Sequence, residues 1–174
     1  MQTVIRGIPT ITDRDLETIA RSNPGYKIER GDDGSLVVSP TNTEGHYKET
    51  EAVRQLLAFE ASAGGKAGGS SGGFTNPRGG VRSPDASWIS GESISKLSDA
   101  EKRQTFVRVT PDVTIEIASP SDEWSDIVAK AKQFFDDGAR YSVAMNPQTR
   151  EVVQFGGPPS GLALDFDAIM DARL

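Results

Sequence analysis

Three side chains in the middle of the chain could together carry out metal-assisted hydrolysis. Asp85 follows a proline, Glu116 lies in an apolar run, and a lysine follows in the next helical segment, at position 130 or 132. Two carboxylates on neighbouring strands are oxygen ligands of the kind that Mg²⁺ and Mn²⁺ take. Such an ion would polarise a phosphate and lower the pKa of an attacking water, while the lysine would stabilise the added charge. The set suits hydrolysis of a phosphodiester.

Glu116 stands out because its neighbours are apolar. The run Val113–Ser119 alternates, with a valine and two isoleucines on one face and Glu116 on the other, which predicts a strand. If both faces are covered, an unpaired charge at Glu116 costs on the order of several kcal/mol, or the group takes up a proton. We therefore expect a cation beside it. A metal ion and a cross-strand ion pair with Arg82 or Arg108 both remain open.

Asp112 is the nearest acid before Glu116 along the chain, but it is a poor partner for it. Four residues of extended strand separate the two positions by roughly 13 Å, which is too far for both to bind one ion directly. Asp85 has no such limit if its strand lies beside that of Glu116. An aspartate after Pro84 is also a common turn former, so the residues alone leave both interpretations of Asp85 open.

The basic partner is not chosen by periodicity. Lys130 and Lys132 flank the apolar stripe of the predicted helix on opposite sides, at about 100° per residue, and either one could be an ordinary solvated charge. His46 is the only histidine of the chain. It falls in the first turn of another predicted helix, where a capping or surface histidine is more common than a ligand.

Local signals predict the elements of the N-terminal half. An apolar stripe indicates a short helix over 14–22, capped by Thr12 or Asp13. The next expected elements are a hairpin of Tyr26–Glu29 with Ser35–Val38 and a helix from about Thr43 to Ser62. Gly64–Gly80 is expected to be a flexible loop with a strand fragment at Phe74-Thr75, and its lysine lacks the spacing of a phosphate-binding loop.

The C-terminal half is expected to hold the centre of the fold. Val81–Ser90 is predicted to be a strand of the central sheet, and Ser119–Glu123 to begin a helix that ends at Gly138. The remaining expectations are a hairpin of Tyr141–Met145 with Glu151–Phe155, a weak strand pattern at Leu162–Phe166 and a short helix at 167–173. Together these patterns indicate an α/β domain with a mixed sheet flanked by helices.

The bulk properties narrow the classes of protein. A chain of 174 residues is expected to form a single domain over 1–174. There is no cysteine, which excludes disulfides and thiolate metal sites and fits a cytoplasmic location. No apolar run is long enough for a membrane span. The net charge of −6 opposes nonspecific binding to nucleic acid unless a local basic groove or metal ions offset it.

The motifs resemble a known family. Arg82–Ser90, Val113–Asp122 and Lys130 with Phe134–Gly138 are similar to the motifs of the Uma2 family, a branch of the PD-(D/E)XK nuclease superfamily. The hairpin Tyr26–Ser39, with Glu29 before its turn, and His46 at the start of the next helix also fit the N-terminal pattern of that family. The resemblance extends over nearly the whole chain.

The resemblance implies a restriction-endonuclease-like mixed β-sheet core flanked by helices, with an N-terminal β-hairpin. It assigns Asp85 and Glu116 as ligands of Mg²⁺ or Mn²⁺ and Lys130 as the catalytic lysine, with Glu29 and His46 as supporting residues. The superfamily commonly has a lysine two residues after the glutamate, where this chain has Ala118. The family keeps its lysine in the following helix, which agrees with Lys130.

Two functions are therefore considered. The first is a metal-dependent endonuclease that hydrolyses phosphodiester bonds in DNA, with a homodimer as one way for an acidic protein to meet both strands. The second is a non-enzymatic binding or assembly module that retains the nuclease fold, which the acidic net charge favours. Fold alone does not establish activity.

Overall fold

The structure is a computed structural model that describes residues 2–41 and 43–173, with only the backbone of residues 43 and 44. The helices are α1 (Asp13–Ser22), α2 (Thr43–Ala63), α3 (Gly91–Ser95), α4 (Trp124–Asp136) and α5 (Phe166–Asp171), with a 3₁₀ turn at Glu101–Arg103. The strands are β1 (Thr3–Ile5), β2 (Tyr26–Arg30), β3 (Leu36–Pro40), β4 (Lys66–Gly69), β5 (Gly73–Thr75), β6 (Val81–Arg82), β7 (Ala86–Ile89), β8 (Phe106–Val107), β9 (Val113–Ile117), β10 (Tyr141–Asn146) and β11 (Glu151–Gly156).

The strands form two mixed sheets. The first has the order β1-β3-β2-β6-β5-β8, and the second has the order β11-β10-β9-β7-β4. In the second sheet β9 is central, antiparallel to β7 and parallel to β10. Helix α4 makes the crossover between β9 and β10, as parallel neighbours require. The expected mixed sheet with flanking helices is therefore found, as is the hairpin of β2 with β3.

Both faces of β9 are covered, and this decides the environment of its side chains. Val113, Ile115 and Ile117 pack on one face, in a core shared with α2 and α5. The opposite face lies under α4, where Ala131 packs with Ala118 and Ala144. All five residues of β9 are buried. The alternation of the strand was predicted correctly, and it carries Glu116 to the side of α4.

Several predicted elements follow from their local chemistry. Thr12 caps α1 in a capping box with Asp15, which satisfies backbone donors at the helix start. Helix α4 ends before Gly138, whose φ of 112° is a conformation that glycine adopts at little cost. The hairpin of β10 with β11 also forms as predicted.

The stretch 81–90 is not one strand of the central sheet, contrary to the prediction. Its first part, β6, pairs with β2 and β5 in the first sheet, whereas its second part, β7, belongs to the second sheet. The chain changes sheets at Ser83–Asp85. Pro84 has no backbone N–H for a ladder, and the N–H of Ser83 donates to the carboxylate of Glu29 at 2.6 Å. Asp85 therefore stands at the junction of the two sheets.

The glycine-rich stretch is more ordered than predicted. Lys66–Gly69 forms the edge strand β4, which is paired antiparallel to β7 and was not predicted. The predicted fragment at Phe74-Thr75 lies in β5. Gly65 makes this approach possible, because a Cβ there would lie 2.3 Å from the carbonyl oxygen of Ile89. The carboxylate of Glu60 accepts hydrogen bonds from the Lys66 ammonium and the Ala67 N–H. A flexible loop over the whole of 64–80 was the wrong expectation.

The start of α4 and the structure of residues 162–166 also differ from prediction. Helix α4 begins at Trp124, not in 119–123, because the carboxylate of Asp122 accepts bonds from the N–H and hydroxyl of Ser119 and closes a turn there. No strand forms at 162–166, where Leu162 instead packs into the core and Asp165 caps α5.

Within the described residues, none of the helices has the length and apolar character needed to cross a membrane.

Candidate active site

Asp85 and Glu116 lie on neighbouring segments of the second sheet. Ala86 pairs with Ile115 in the antiparallel register of β7 and β9, so the next position along brings Asp85 opposite Glu116. The Asp85 carboxylate accepts a hydrogen bond from the N–H of Ile117 at 2.8 Å. Asp112 lies at the other end of β9, where its carboxylate accepts from the N–H of Ser90. The geometric exclusion of Asp112 agrees with this arrangement.

Lys130 reaches Glu116 and Glu29 from α4, whereas Lys132 does not. The Lys130 Nζ lies 3.1 Å from Glu116 Oε2 and 3.0 Å from Glu29 Oε1, and it donates to the Ser83 carbonyl at 3.1 Å. Lys132 points away and pairs with Asp136 on the surface. The tertiary structure thus makes the choice that helical periodicity left open.

Glu29 joins the site from the hairpin. Its carboxylate is buried and accepts from both the Ser83 N–H and the Lys130 ammonium. Burial opposes ionisation, but Lys130, Lys27 and the Ser83 N–H together lower the pKa of Glu29 below its ordinary value. Glu29 is therefore a charged group that holds Lys130 in position together with Glu116.

Lys27 is a site residue that the sequence analysis missed. Its Nζ lies 2.7 Å from Asp85 Oδ1, with side chains 18% and 15% exposed, respectively. Burial opposes the charge of Lys27, but the carboxylates of Asp85, Glu116 and Glu29 outweigh it and raise the pKa of Lys27. Burial also opposes the charge of Asp85, but Lys27, Lys130 and the Ile117 N–H outweigh it and lower the pKa of Asp85. A signal was present, because Lys27 and Glu29 are two residues apart in a strand and so share a face.

Glu49 is a second residue that was missed. It lies on α2, three residues after His46 and so on the same side of the helix, and its carboxylate accepts a hydrogen bond from the Ser70 hydroxyl at 3.0 Å. Burial and the charge of Asp85 raise the pKa of Glu49 to about 7. His46 itself is exposed at the mouth of the same cleft.

Glu116 is the least satisfied acid of the cluster. Burial, reinforced by the charges of Asp85 and Glu29, outweighs Lys130 and Lys27 and raises the pKa of Glu116 to about 8. Among the described residues, its Oε1 is buried and has no hydrogen-bond partner. In the part of the chain that the structure describes, neither Arg82 nor Arg108 forms the ion pair considered from the sequence, since Arg82 contacts Asp32 at 2.7 Å and Glu116 is paired by Lys130.

The cleft and its donors fit a hard divalent cation. The cleft has a volume of about 480 Å³ and includes Asp85, Glu116 and both lysines. Across the described ranges, no three His, Asp or Glu side chains are grouped so as to hold a metal ion by themselves. Mg²⁺, however, is commonly bound by one or two carboxylates and keeps several waters. The unpartnered oxygen of Glu116 beside Asp85 meets that requirement.

Comparison with known proteins adds a family. A family model described as "Uma2: Putative restriction endonuclease" matches residues 13–164, which include every residue of the cluster. This chain belongs to the Uma2 family. No curated protein matches the chain. A crystal structure of "a putative nuclease belonging to DUF820" from Anabaena variabilis ATCC 29413 is similar, with a TM-score of 0.64 and 18% identity over 82% of this chain and 89% of that chain.

These comparisons confirm the resemblance and the restriction-endonuclease-like fold that it implied. At 18% identity the structural similarity bears on the fold alone, while the Uma2 description points to a nuclease. The predicted site residues Asp85, Glu116, Lys130 and Glu29 converge in one place, and His46 lies at its mouth. Their chemical roles stay predictions.

Proposed function

We propose that this Uma2 protein is an endonuclease that hydrolyses phosphodiester bonds in DNA with Mg²⁺ or Mn²⁺. Asp85 and Glu116 would hold the ion, whose chemistry when bound is to polarise the phosphate and lower the pKa of the attacking water. The buried Oε1 of Glu116, which has no hydrogen-bond partner while Oε2 of the same carboxylate contacts Lys130, is the observation that carries this proposal.

Lys130 has the position of a charge-stabilising group. Its ammonium lies within 3.1 Å of Glu116 Oε2 and the Ser83 carbonyl, so it would face a phosphate oxygen that approaches the two acids. A fixed cation of this kind stabilises charge that develops in the transition state. Glu29 holds the ammonium in place through its carboxylate, 3.0 Å away, and keeps it from swinging towards solvent.

Cleavage of supercoiled plasmid DNA tests the proposal. We expect the wild-type protein to nick the plasmid with Mg²⁺ or Mn²⁺ and to stop when EDTA is added. Asp85→Asn and Lys130→Met should each lower the rate by about 100-fold or more, whereas Lys132→Met, a matched change on the exposed side of the same helix, should cleave like the wild type. Equal cleavage by all four proteins would identify a contaminating nuclease and refute the proposal.

A non-enzymatic binding module is the second candidate. It is favoured by the ion pair of Lys27 with Asp85 at 2.7 Å, because a carboxylate that already has a cation has less need of a metal ion. Titration calorimetry with Mn²⁺ separates the two functions. Heat of binding that disappears in Asp85→Asn supports the endonuclease, and no binding by the folded wild type supports the binding module.

Three further properties belong to this proposal. The chain would act as a single domain over 1–174, in the cytoplasm, and a homodimer would let it reach both strands of a duplex. Sedimentation of the protein with and without a short DNA duplex measures the last of these. A monomer on DNA would exclude the homodimer without affecting the assignment of the metal ligands.

A further inference from the structure

Lys27 occupies a position in the cluster that attracts a cation. Its ammonium lies 2.7 Å from Asp85 Oδ1 and is also within the electrostatic reach of Glu116 and Glu29. The ammonium comes from β2, while the backbone N–H of Ile117 donates to the other Asp85 oxygen at 2.8 Å. One oxygen of Asp85 thus faces a rigid strand and the other faces Lys27.

The two lysines of the site differ in what they contact. Lys130 is held by three oxygens, those of Glu29, Glu116 and the Ser83 carbonyl. If its ammonium moved away, each of these buried groups would lose a hydrogen-bond donor. Among the residues that the structure describes, Lys27 has one ion pair at contact distance, with Asp85. Its long flexible stem can move an ammonium out of the way at the loss of that one contact.

We propose that Lys27 is an internal counterion that occupies the cation position at Asp85 in the metal-free protein and must be displaced by the divalent ion. This inference rests on the proposed function, since it takes Asp85 and Glu116 as the ligands. Lys27 keeps the acids from repelling one another before the ion arrives. It also weakens metal binding, because the ion has to compete with an ammonium already in contact with its ligand.

Binding of Mn²⁺ to matched variants tests the proposal. Lys27→Met and Lys27→Gln remove the competing charge, so we expect the Mn²⁺ Kd measured by calorimetry to fall by about tenfold or more in both. Lys27→Arg keeps the charge and should bind as weakly as the wild type. Lys132→Met is the control for loss of a lysine outside the cleft. Asp85→Asn added to Lys27→Met should abolish the gain.

The outcomes separate this inference from the proposed function. If Lys27→Met binds Mn²⁺ as the wild type does, or more weakly, Lys27 is not a competitor and the inference fails while the metal site stands. If neither the wild type nor any Lys27 variant binds Mn²⁺, both the inference and the metal-dependent function fail. Tighter binding by the neutral variants together with unchanged binding by Lys27→Arg supports both.

A measurement on the wild type guards against variants that do not fold. Displacement by Mg²⁺ would free the Lys27 ammonium, so we expect its acetylation by a small amine-reactive reagent, followed by peptide mass spectrometry, to become several-fold faster in saturating Mg²⁺. Lys132, on the exposed face of α4, serves as the internal reference. Equal acetylation of Lys27 with Mg²⁺ and with EDTA overturns the inference.

Discussion

Two clusters of charged side chains connect the hairpin of β2 and β3 to the rest of the molecule, and they are built differently. The first is the site cluster around Glu116. The second, here the Asp32 cluster, consists of Asp32, Asn76, Arg78, Arg82, Gln133 and Asp137, whose buried carboxylate lies 2.6 Å from Arg78. Asp32 accepts from Asn76 and Arg82 on one oxygen and from Arg78 and Gln133 on the other. Glu116, in contrast, has one oxygen paired by Lys130 and one buried without a partner.

We infer from this difference how a carboxylate that serves the fold can be distinguished from one that is available to a ligand. In the Asp32 cluster the bonds from Arg78, Asn76 and Arg82 outweigh burial and lower the pKa of Asp32. In the site cluster burial prevails and raises the pKa of Glu116 to about 8. A saturated carboxylate stabilises the fold, whereas an unsaturated one has capacity for a ligand and costs stability until the ligand arrives.

The largest expected effect is on the rate of DNA cleavage, which should depend on the site cluster and not on the Asp32 cluster. Glu116→Gln should lower metal-dependent plasmid cleavage by about 100-fold or more, because it removes a charged ligand. Asp32→Asn should leave the cleavage rate per folded molecule within about twofold of the wild type, because Asp32 belongs to the other cluster. The comparison between saturated and unsaturated acids breaks down if Asp32→Asn loses as much activity as Glu116→Gln.

The next largest effect is on the free energy of unfolding, which should depend on Asp32 more than on Glu116. Asp32→Asn should lower the free energy of unfolding by roughly 2 kcal/mol, because it leaves Arg82 without its close carboxylate partner. Glu116→Gln should leave it unchanged or raise it when metal is absent. Urea denaturation in EDTA measures both. A destabilised Glu116→Gln protein would show that the Lys130 pair contributes more than burial costs.

The pH dependence of stability follows from the two raised pKa values. Because the folded state keeps the Glu116 proton between its ordinary pKa near 4.5 and about 8, the free energy of unfolding should fall as pH rises through that interval. Glu49, with a pKa of about 7, acts in the same direction. Charged or titratable groups that act on Glu116 are Lys130, Lys27, Asp85 and Glu29.

Urea denaturation in EDTA at several values between pH 5 and pH 8 checks this dependence. The decline should be reduced in Glu116→Gln and nearly absent in the double variant with Glu49→Gln. The lowered pKa values of Asp85 and Glu29 act only at the acid end, where stability is lost as pH falls below about 4. Stability that rises from pH 5 to pH 8 in the wild type would contradict the assignment.

The smallest expected effect comes from the surface. Lys132→Met removes an exposed pair with Asp136 and should change the free energy of unfolding by less than about 0.5 kcal/mol. Lys130→Met, on the same helix, should cost more because Glu29 then keeps a buried charge without its nearest cation. Chemical denaturation of the two variants side by side tests whether burial, and not charge alone, sets the contribution of a lysine.

Much of the fold could be predicted because its signals are local. Alternation over Val113–Ile117 identifies β9, and Thr12 with Asp15 identifies the start of α1. The change of sheet at Ser83–Asp85 could not be seen, because it depends on where the Ser83 N–H finds an acceptor, and that acceptor is Glu29, 54 residues away.

By itself the sequence determined that Glu116, in an apolar strand, needs a cation, and that Asp112 is too far along the strand to share one with it. Only the tertiary structure decided which cations are present. The side of α4 that faces β9 carries Lys130 and not Lys132. Lys27 and Glu49 reach the site from elements that are distant in the chain. Long-range placement depends on packing between elements, whereas residue spacing within one element shows only which of its side chains share a face.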